Sequence, residues 1–121
     1  MSIKDKKVLI TGGGTGVGAD MALAFAERGA NVFISGRTKT SLNKIAAKHD
    51  AIQAVVADVT DENSVKALFD QIGPMDIVVA NAGAAESAPI VKTDLDSWNR
   101  MIAVNLTGVF LTLKEGLVRM Q

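Results

Sequence analysis

Four short apolar runs alternate with amphipathic stretches along this chain, and that alternation constrains the fold more than any other feature. The first run, Lys7 to Thr11, is apolar at every position between its ends, as a strand buried on both faces requires. Further strands are predicted over Asn31–Ser35, Ala51–Ala57 and Asp76–Ala80. Between them the periodicity predicts helices over Gly16–Arg28, Ser41–Lys48 and Asp61–Ile72, with helical sequence again from about Asp94 to the end. Ala22, Phe25 and Ala26 share one face of the first helix, and Gly29 supplies its stop. Val65, Leu68, Phe69 and Ile72 form the stripe of the third. Thr60 is placed as its cap, Asp61 and Glu62 suit the positive end of its dipole, and Gly73-Pro74 ends it. Each return to a parallel strand needs a crossover helix. The order therefore predicts a doubly wound parallel α/β sheet with helices on both faces. A strand order of 3-2-1-4 leaves the fourth strand as an apolar edge.

Composition removes whole classes of function. The 121 residues suit one domain, and 48 % hydrophobic content is too high for disorder. Lys plus Arg and Asp plus Glu balance at 13 each, which argues against nucleic-acid or membrane-surface binding. Without Cys there is no disulfide framework, thiolate nucleophile or cysteine-ligated metal. The lone histidine, His49, excludes a multi-histidine metal site and is expected at the surface near a helix end. The longest uncharged stretch, Met101 to Leu113, is broken by Asn105, Thr107 and Gly108 and falls short of the ~20 apolar residues of a membrane span. The apolar run near the N-terminus is shorter than the ~7–15 residues of a signal-peptide core, so a cytoplasmic, soluble protein is expected. Trp98, Met101 and Ile102 are expected in the core.

The residues able to carry chemistry fall mostly at strand ends, where doubly wound sheets hold their ligands. Thr11-Gly12-Gly13-Gly14-Thr15-Gly16-Val17-Gly18 joins the first strand to the first helix. Glycines let the backbone turn tightly and approach a pyrophosphate, which the helix N-terminus then attracts. No Lys-Ser or Lys-Thr follows them, so a phosphate-binding P-loop is excluded. At the end of the second strand stand Gly36 and Arg37, where NAD proteins usually carry an acid for the ribose hydroxyls. Arg37 is either a solvated loop residue or a partner for the 2′-phosphate of NADP. Asp58, followed by Val59, can accept from an adenine amino group or cap the following turn. Asn81-Ala82-Gly83 suits close packing beside a cofactor, or forms a plain turn. Asn105 lies in an apolar helical stretch, where it needs buried partners or marks a kink.

Together these residues resemble the short-chain dehydrogenase/reductase family. The resemblance rests on Thr11-Gly-x-x-x-Gly16-x-Gly18, Asp58-Val59, Asn81-Ala82-Gly83 and Asn105, in the family's order and approximate spacing, and it covers essentially the whole chain. Ala80 stands where the family usually has an Asn before Asn-Ala-Gly. The resemblance implies a Rossmann-like sheet that is incomplete here, with residues 1–121 as the N-terminal portion of a larger single domain. It also implies that Gly12, Gly16 and Gly18 line a pyrophosphate, that Asp58 and Val59 hold the adenine, and that Asn81 and Gly83 flank the ribose and nicotinamide. Asn105 would match the family's catalytic Asn, which supports a proton relay through a bound water. The family's reaction further uses a Ser, a Tyr and a Lys four positions after the Tyr, and this chain contains no Tyr.

The expected parent is an oxidoreductase moving hydride between NADP(H), or NAD(H), and a carbonyl or secondary alcohol. A 3-oxoacyl thioester is the specific substrate expected, and a homo-oligomer the expected assembly. A non-catalytic nucleotide-binding module is the alternative that the missing Tyr would fit. A methyltransferase would normally need an acid where Gly36-Arg37 stands.

Overall fold

Thr11 closes a run in which Val8, Leu9 and Ile10 are all fully buried, so β1 (Lys7–Thr11) lies in the middle of the sheet. The computed structural model describes residues 2–120. Around β1 stand β2 (Asn31–Gly36), β3 (Ile52–Val56) and β4 (Ile77–Val79) in the order β3-β2-β1-β4, all parallel. Both the order and the parallel sense follow the expectation from sequence. β3 and β4 are shorter than expected, although the Asp76 and Ala57 N–H groups beside them still donate to the Lys7 and Gly36 carbonyls at 2.9 Å. The Asp76 carboxylate also accepts the Lys7 N–H at 2.9 Å.

The pleat of β1 divides the core. Val8 and Ile10 pack with Ala19, Ala22 and Ala26 of α1 (Gly16–Glu27) and with Leu42 and Ile45 of α2 (Lys39–Ala46). Leu9 points the other way, into Val65, Leu68, Phe69 and Ile72 of α3 (Glu62–Ile72). Helices thus cover both faces, and burying a side chain such as Phe69 contributes ~1.5–3 kcal/mol. Gly29 and Gly73 stop α1 and α3 with φ of 89° and 78°, conformations that L side chains rarely adopt.

α3 corrects one expectation. Its cap is Asp61, whose carboxylate accepts from the N–H groups of Asn63 and Ser64 at 2.9 and 3.3 Å. Thr60 is not free to cap, since its hydroxyl is held by Asp58 at 2.7 Å. α2 runs two residues earlier than expected at both ends, starting after Thr38.

The last helical stretch is not one regular helix. Asp94 caps α4 (Leu95–Ile102) by accepting the Ser97 N–H at 2.8 Å. A π turn follows over Ala103–Thr107, and then α5 (Gly108–Met120). The irregularity falls on Asn105, where the polar residue in an apolar stretch pointed to a kink. Leu111 and Thr112 of α5 are buried, and Gly116 lets the helix come close to Val78 and Phe69, where an added Cβ would sit 3.2 and 3.5 Å away. The outer face, Phe110, Leu113, Leu117 and Met120, is exposed.

Three further expectations are corrected. Trp98 and Ile102 are 54 % and 37 % exposed rather than core, because α4 has no described layer over its outer face. His49 is half-buried and holds a local turn, its Nδ1 accepting the Ala51 N–H at 3.1 Å. The helical run Leu95–Met120 is 26 residues long and, by length and composition alone, apolar enough to cross a membrane. The π turn keeps the run continuous through Asn105, Thr107 and Gly108, the residues expected to break it. One side of that run is nonetheless packed on α3 and β4.

Candidate functional site

Strand order reverses between β1 and β4: β2 and β3 extend the sheet to one side of β1, and β4 lies on the other. Doubly wound sheets bind ligands at such a point, beyond the strands' C-terminal ends. A cleft of about 270 Å³ opens there. Its walls are the glycine loop (Gly12, Gly14, Thr15), the region after β2 (Gly36, Arg37, Thr38, with Ser41 and Leu42 of α2), the end of β3 (Ala57, Asp58, Val59) and the segment after β4 (Ala82, Gly83, Ala84), with Val104 of the π turn. Of the residues singled out from sequence, Gly12, Gly14, Thr15, Arg37, Asp58, Val59, Ala82 and Gly83 line this cleft. Gly16, Val17, Gly18, Asn81 and Asn105 do not.

The glycine loop is held from both sides. The Gly12 and Gly13 N–H groups donate to the Ser35 carbonyl at 2.8 and 3.2 Å. On the other side Asn81 Nδ2 donates to the carbonyls of Thr11 and Gly12 at 3.2 and 3.3 Å. The loop's glycines divide the work. Gly12 has φ of 68°, and a Cβ there would lie 2.8 Å from the Ala82 Cα. Gly18 is buried, and a Cβ on it would fall inside the Gly12 carbonyl oxygen, so Gly18 serves close packing of α1 under the loop. Gly16 has φ of 56° and open space where its Cβ would be. Thr15 is exposed and makes no capping hydrogen bond, and the first turn of α1 carries no acid. That helix end is therefore free to meet an anion.

Thr11 stands out in the sequence only as part of the glycine motif, yet its side chain ties the site together. Thr11 is 1 % exposed, and its Oγ1 accepts the Asn81 and Ala82 N–H groups at 3.0 and 3.1 Å. The available signal was a hydroxyl closing a wholly apolar strand. Thr11→Val keeps the shape, orphans the Ala82 N–H and leaves the Asn81 N–H with the Val79 carbonyl at 3.0 Å alone. We expect a loss of ~1–3 kcal/mol in urea unfolding.

Asp58 does cap its turn: one carboxylate oxygen accepts both the Thr60 hydroxyl and the Thr60 N–H, at 2.7 and 2.9 Å. The Thr60 hydroxyl, against a smaller opposing effect of burial, holds the carboxyl below its usual range. The Thr60 N–H and the positive charge of Arg37 add to this. Asp58 is thus ionised and close enough to feel Arg37 across the cleft, with its second oxygen uncommitted to the turn. At the other end, Asn105 lies behind the cleft wall. Its Oδ1 accepts the Ala84 N–H at 2.8 Å, and its Nδ2 donates to the Ala84 carbonyl at 2.6 Å. The buried partners that Asn105 was expected to need are thus a backbone segment at the surface. Among the described residues no cluster of His, Cys, Asp or Glu is arranged to hold a metal ion.

A doubly wound parallel sheet with a glycine loop at its switch point is the arrangement of Rossmann-like dinucleotide-binding proteins. Within that class the chain belongs to the short chain dehydrogenase family, whose model it matches over residues 6–121. It is 40 % identical to cis-4-hydroxycyclohexanecarboxylate dehydrogenase of Sinomonas cyclohexanicum, across 96 % of this chain and 50 % of that protein. It is 38 % identical to the NADP-dependent (R)-specific alcohol dehydrogenase of Lentilactobacillus kefiri, across 98 % of this chain and 50 % of that protein. A crystal structure of a short-chain type dehydrogenase/reductase from Mycobacterium marinum superimposes with a TM-score of 0.93 at 33 % identity, covering 98 % of this chain and 51 % of that one. The chain spans about half the length of the curated relatives it matches.

Proposed function

We propose that the protein carrying this chain is an NADP(H)-dependent oxidoreductase acting on a carbonyl or secondary alcohol. The observation that carries this is the cleft at the switch point, with a glycine loop at its base and the Arg37, Thr38 and Ser41 corner at one end. The residues fit a dinucleotide. The free end of α1 with Thr15 suits the pyrophosphate, and the open space at Gly16 admits it. Asp58 and Val59 face the adenine side, and Ala82 and Gly83 leave room for the nicotinamide side. Arg37 and the hydroxyls beside it offer charge-assisted bonds to a 2′-phosphate, and no acid stands there to repel one. The bound nicotinamide supplies the hydride; this chain supplies binding and orientation.

Residues 1–121 contain no Tyr, and the Asn105 amide does not titrate near neutral pH, so neither supplies the substrate's proton. The relatives' names support an alcohol or ketone substrate, and a 3-oxoacyl thioester is the narrower proposal. We place the protein in the cytoplasm as a homo-oligomer, with the exposed face of α5 (Phe110, Leu113, Leu117) as the surface assembly would cover. Turnover of NADPH by the full-length protein against aliphatic ketones, cyclic ketones and a 3-oxoacyl thioester tests the reading. We expect at least one ketone to be reduced. Tight NADPH binding with no turnover of any class would point to a non-catalytic nucleotide-binding module instead.

A further inference from the structure

The segment that leaves β4 does not run free across the surface. From Gly83 it passes along α4 as an extended strap and is fastened at two places. The first is the pairing of Asn105 with both backbone groups of Ala84. The second is two residues further on, at Glu86. Its carboxylate accepts the Ser97 hydroxyl at 2.5 Å and two bonds from Arg100 Nη2, at 3.1 and 3.2 Å. The Glu86 N–H points at Met101 Sδ, 3.5 Å away. Ser97, Met101 and Asn105 recur at four-residue intervals, so strap and helix meet along one helical face. The π turn, Ala103–Thr107, interrupts that face at Asn105. A single π turn inside an α-helix is rare and is frequent at functional sites.

We propose that Glu86 and Arg100 are positioning residues: their clasp, with Ser97, pins the strap to α4 and thereby keeps Asn105 paired with Ala84. Among the described residues, Ala85, Ser87 and Ala88 make no hydrogen bond to α4, so beyond Ala84 the clasp is the strap's one strong tie to that helix. Without it, the Asn105–Ala84 pair would anchor the start of a segment free to swing from Gly83 to Pro89. Gly83 and Ala84 line the cleft, and a Cβ on Gly83 would already lie 3.0 Å from Asn105 Oδ1, so strap movement reaches the cleft wall directly. The Ser97 hydroxyl first, and then Arg100, hold the Glu86 carboxyl below its usual value, so the clasp favours the carboxylate form.

The test uses the full-length protein and two single variants, Glu86→Ala and Arg100→Met, with the double variant. Glu62→Ala, which breaks the exposed Glu62–Lys66 pair on α3, is the control for loss of a surface ion pair in general. Hydrogen exchange at the Ala84 N–H is the first readout. We expect a rise of about three- to fivefold in each single variant, no further rise in the double, and none in the control. The second readout rests on the oxidoreductase reading: kcat falls by a similar factor while the melting temperature holds. Unchanged exchange at Ala84, or effects that simply add in the double variant, would overturn the proposal. So would a fall in kcat that follows the melting temperature. If the wild type reduces no carbonyl, the functional reading fails and the exchange measurement alone decides the clasp.

Discussion

Gly16→Val is expected to weaken NADPH binding by more than about a hundredfold and to leave the fold standing, whereas Gly18→Val is expected to unfold the protein. The two glycines lie two residues apart in one motif, yet their surroundings are opposite. Around Gly16 an added Cβ meets nothing within 4 Å, so an isopropyl group clashes with no protein atom. It adds backbone strain at φ of 56°, ~1–2 kcal/mol, and fills the space at the start of α1 that a pyrophosphate would need. At Gly18 the first carbon already falls inside the Gly12 carbonyl oxygen and lies 2.5 Å from Asn81 Nδ2. Neither can yield, because Gly12 is tied to Ser35 and Asn81 is tied to Thr11. Even Gly18→Ala should cost ~1–3 kcal/mol or more, the scale of overpacking a filled core. Circular dichroism melts separate the fates of the two variants, and titration of NADPH fluorescence measures binding in the one that folds. Undiminished binding by Gly16→Val would mean the loop is only a turn.

The contrast shows what the sequence could carry and what it could not. That glycines belong between a wholly apolar strand and an amphipathic helix is a statement about backbone freedom, and it is readable in one dimension. Which glycine faces open space and which faces a carbonyl depends on how α1 packs against β1 and the loop that leaves it, and no spacing rule contains that. Asn105 is similar. An amide in an apolar stretch signalled an interruption, and a π turn is there, but its partner Ala84 lies 21 residues away on a segment with no periodicity of its own. Trp98 misled for a related reason. Helical spacing shows that Trp98 and Ile102 share a face, but whether another layer covers that face is a tertiary fact. Thr60 and Asp61 were a local competition. Both residue types cap helices, and the outcome turned on Asp58 having taken the Thr60 hydroxyl.

Cofactor choice should turn on two adjacent residues. The wild-type full-length protein is expected to bind NADPH roughly ten- to hundredfold more tightly than NADH, the equivalent of one or two charge-assisted hydrogen bonds at ~1.5–3 kcal/mol. Arg37 is exposed on the cleft wall, and its positive charge helps to lower the pKa of Asp58. Arg37→Ala should remove most of the preference while leaving NADH binding nearly unchanged. Gly36→Asp should reverse it. The structure accepts that substitution, since a Cβ at Gly36 meets only Leu42 side-chain atoms at 3.5–3.9 Å and the backbone there is not left-handed. A carboxylate at position 36 would sit beside Arg37 and do two things at once. It would compete for the guanidinium, and it would repel a 2′-phosphate while offering an acceptor to the ribose hydroxyls of NADH. The swing between wild type and Gly36→Asp should therefore exceed the effect of Arg37→Ala, which removes attraction without adding repulsion. Paired Kd measurements for both cofactors on the three proteins give the ordering. Equal affinities in the wild type would mean Arg37 is a solvated loop residue, and a Gly36→Asp variant that kept its preference for NADPH would place the 2′-phosphate somewhere other than this corner.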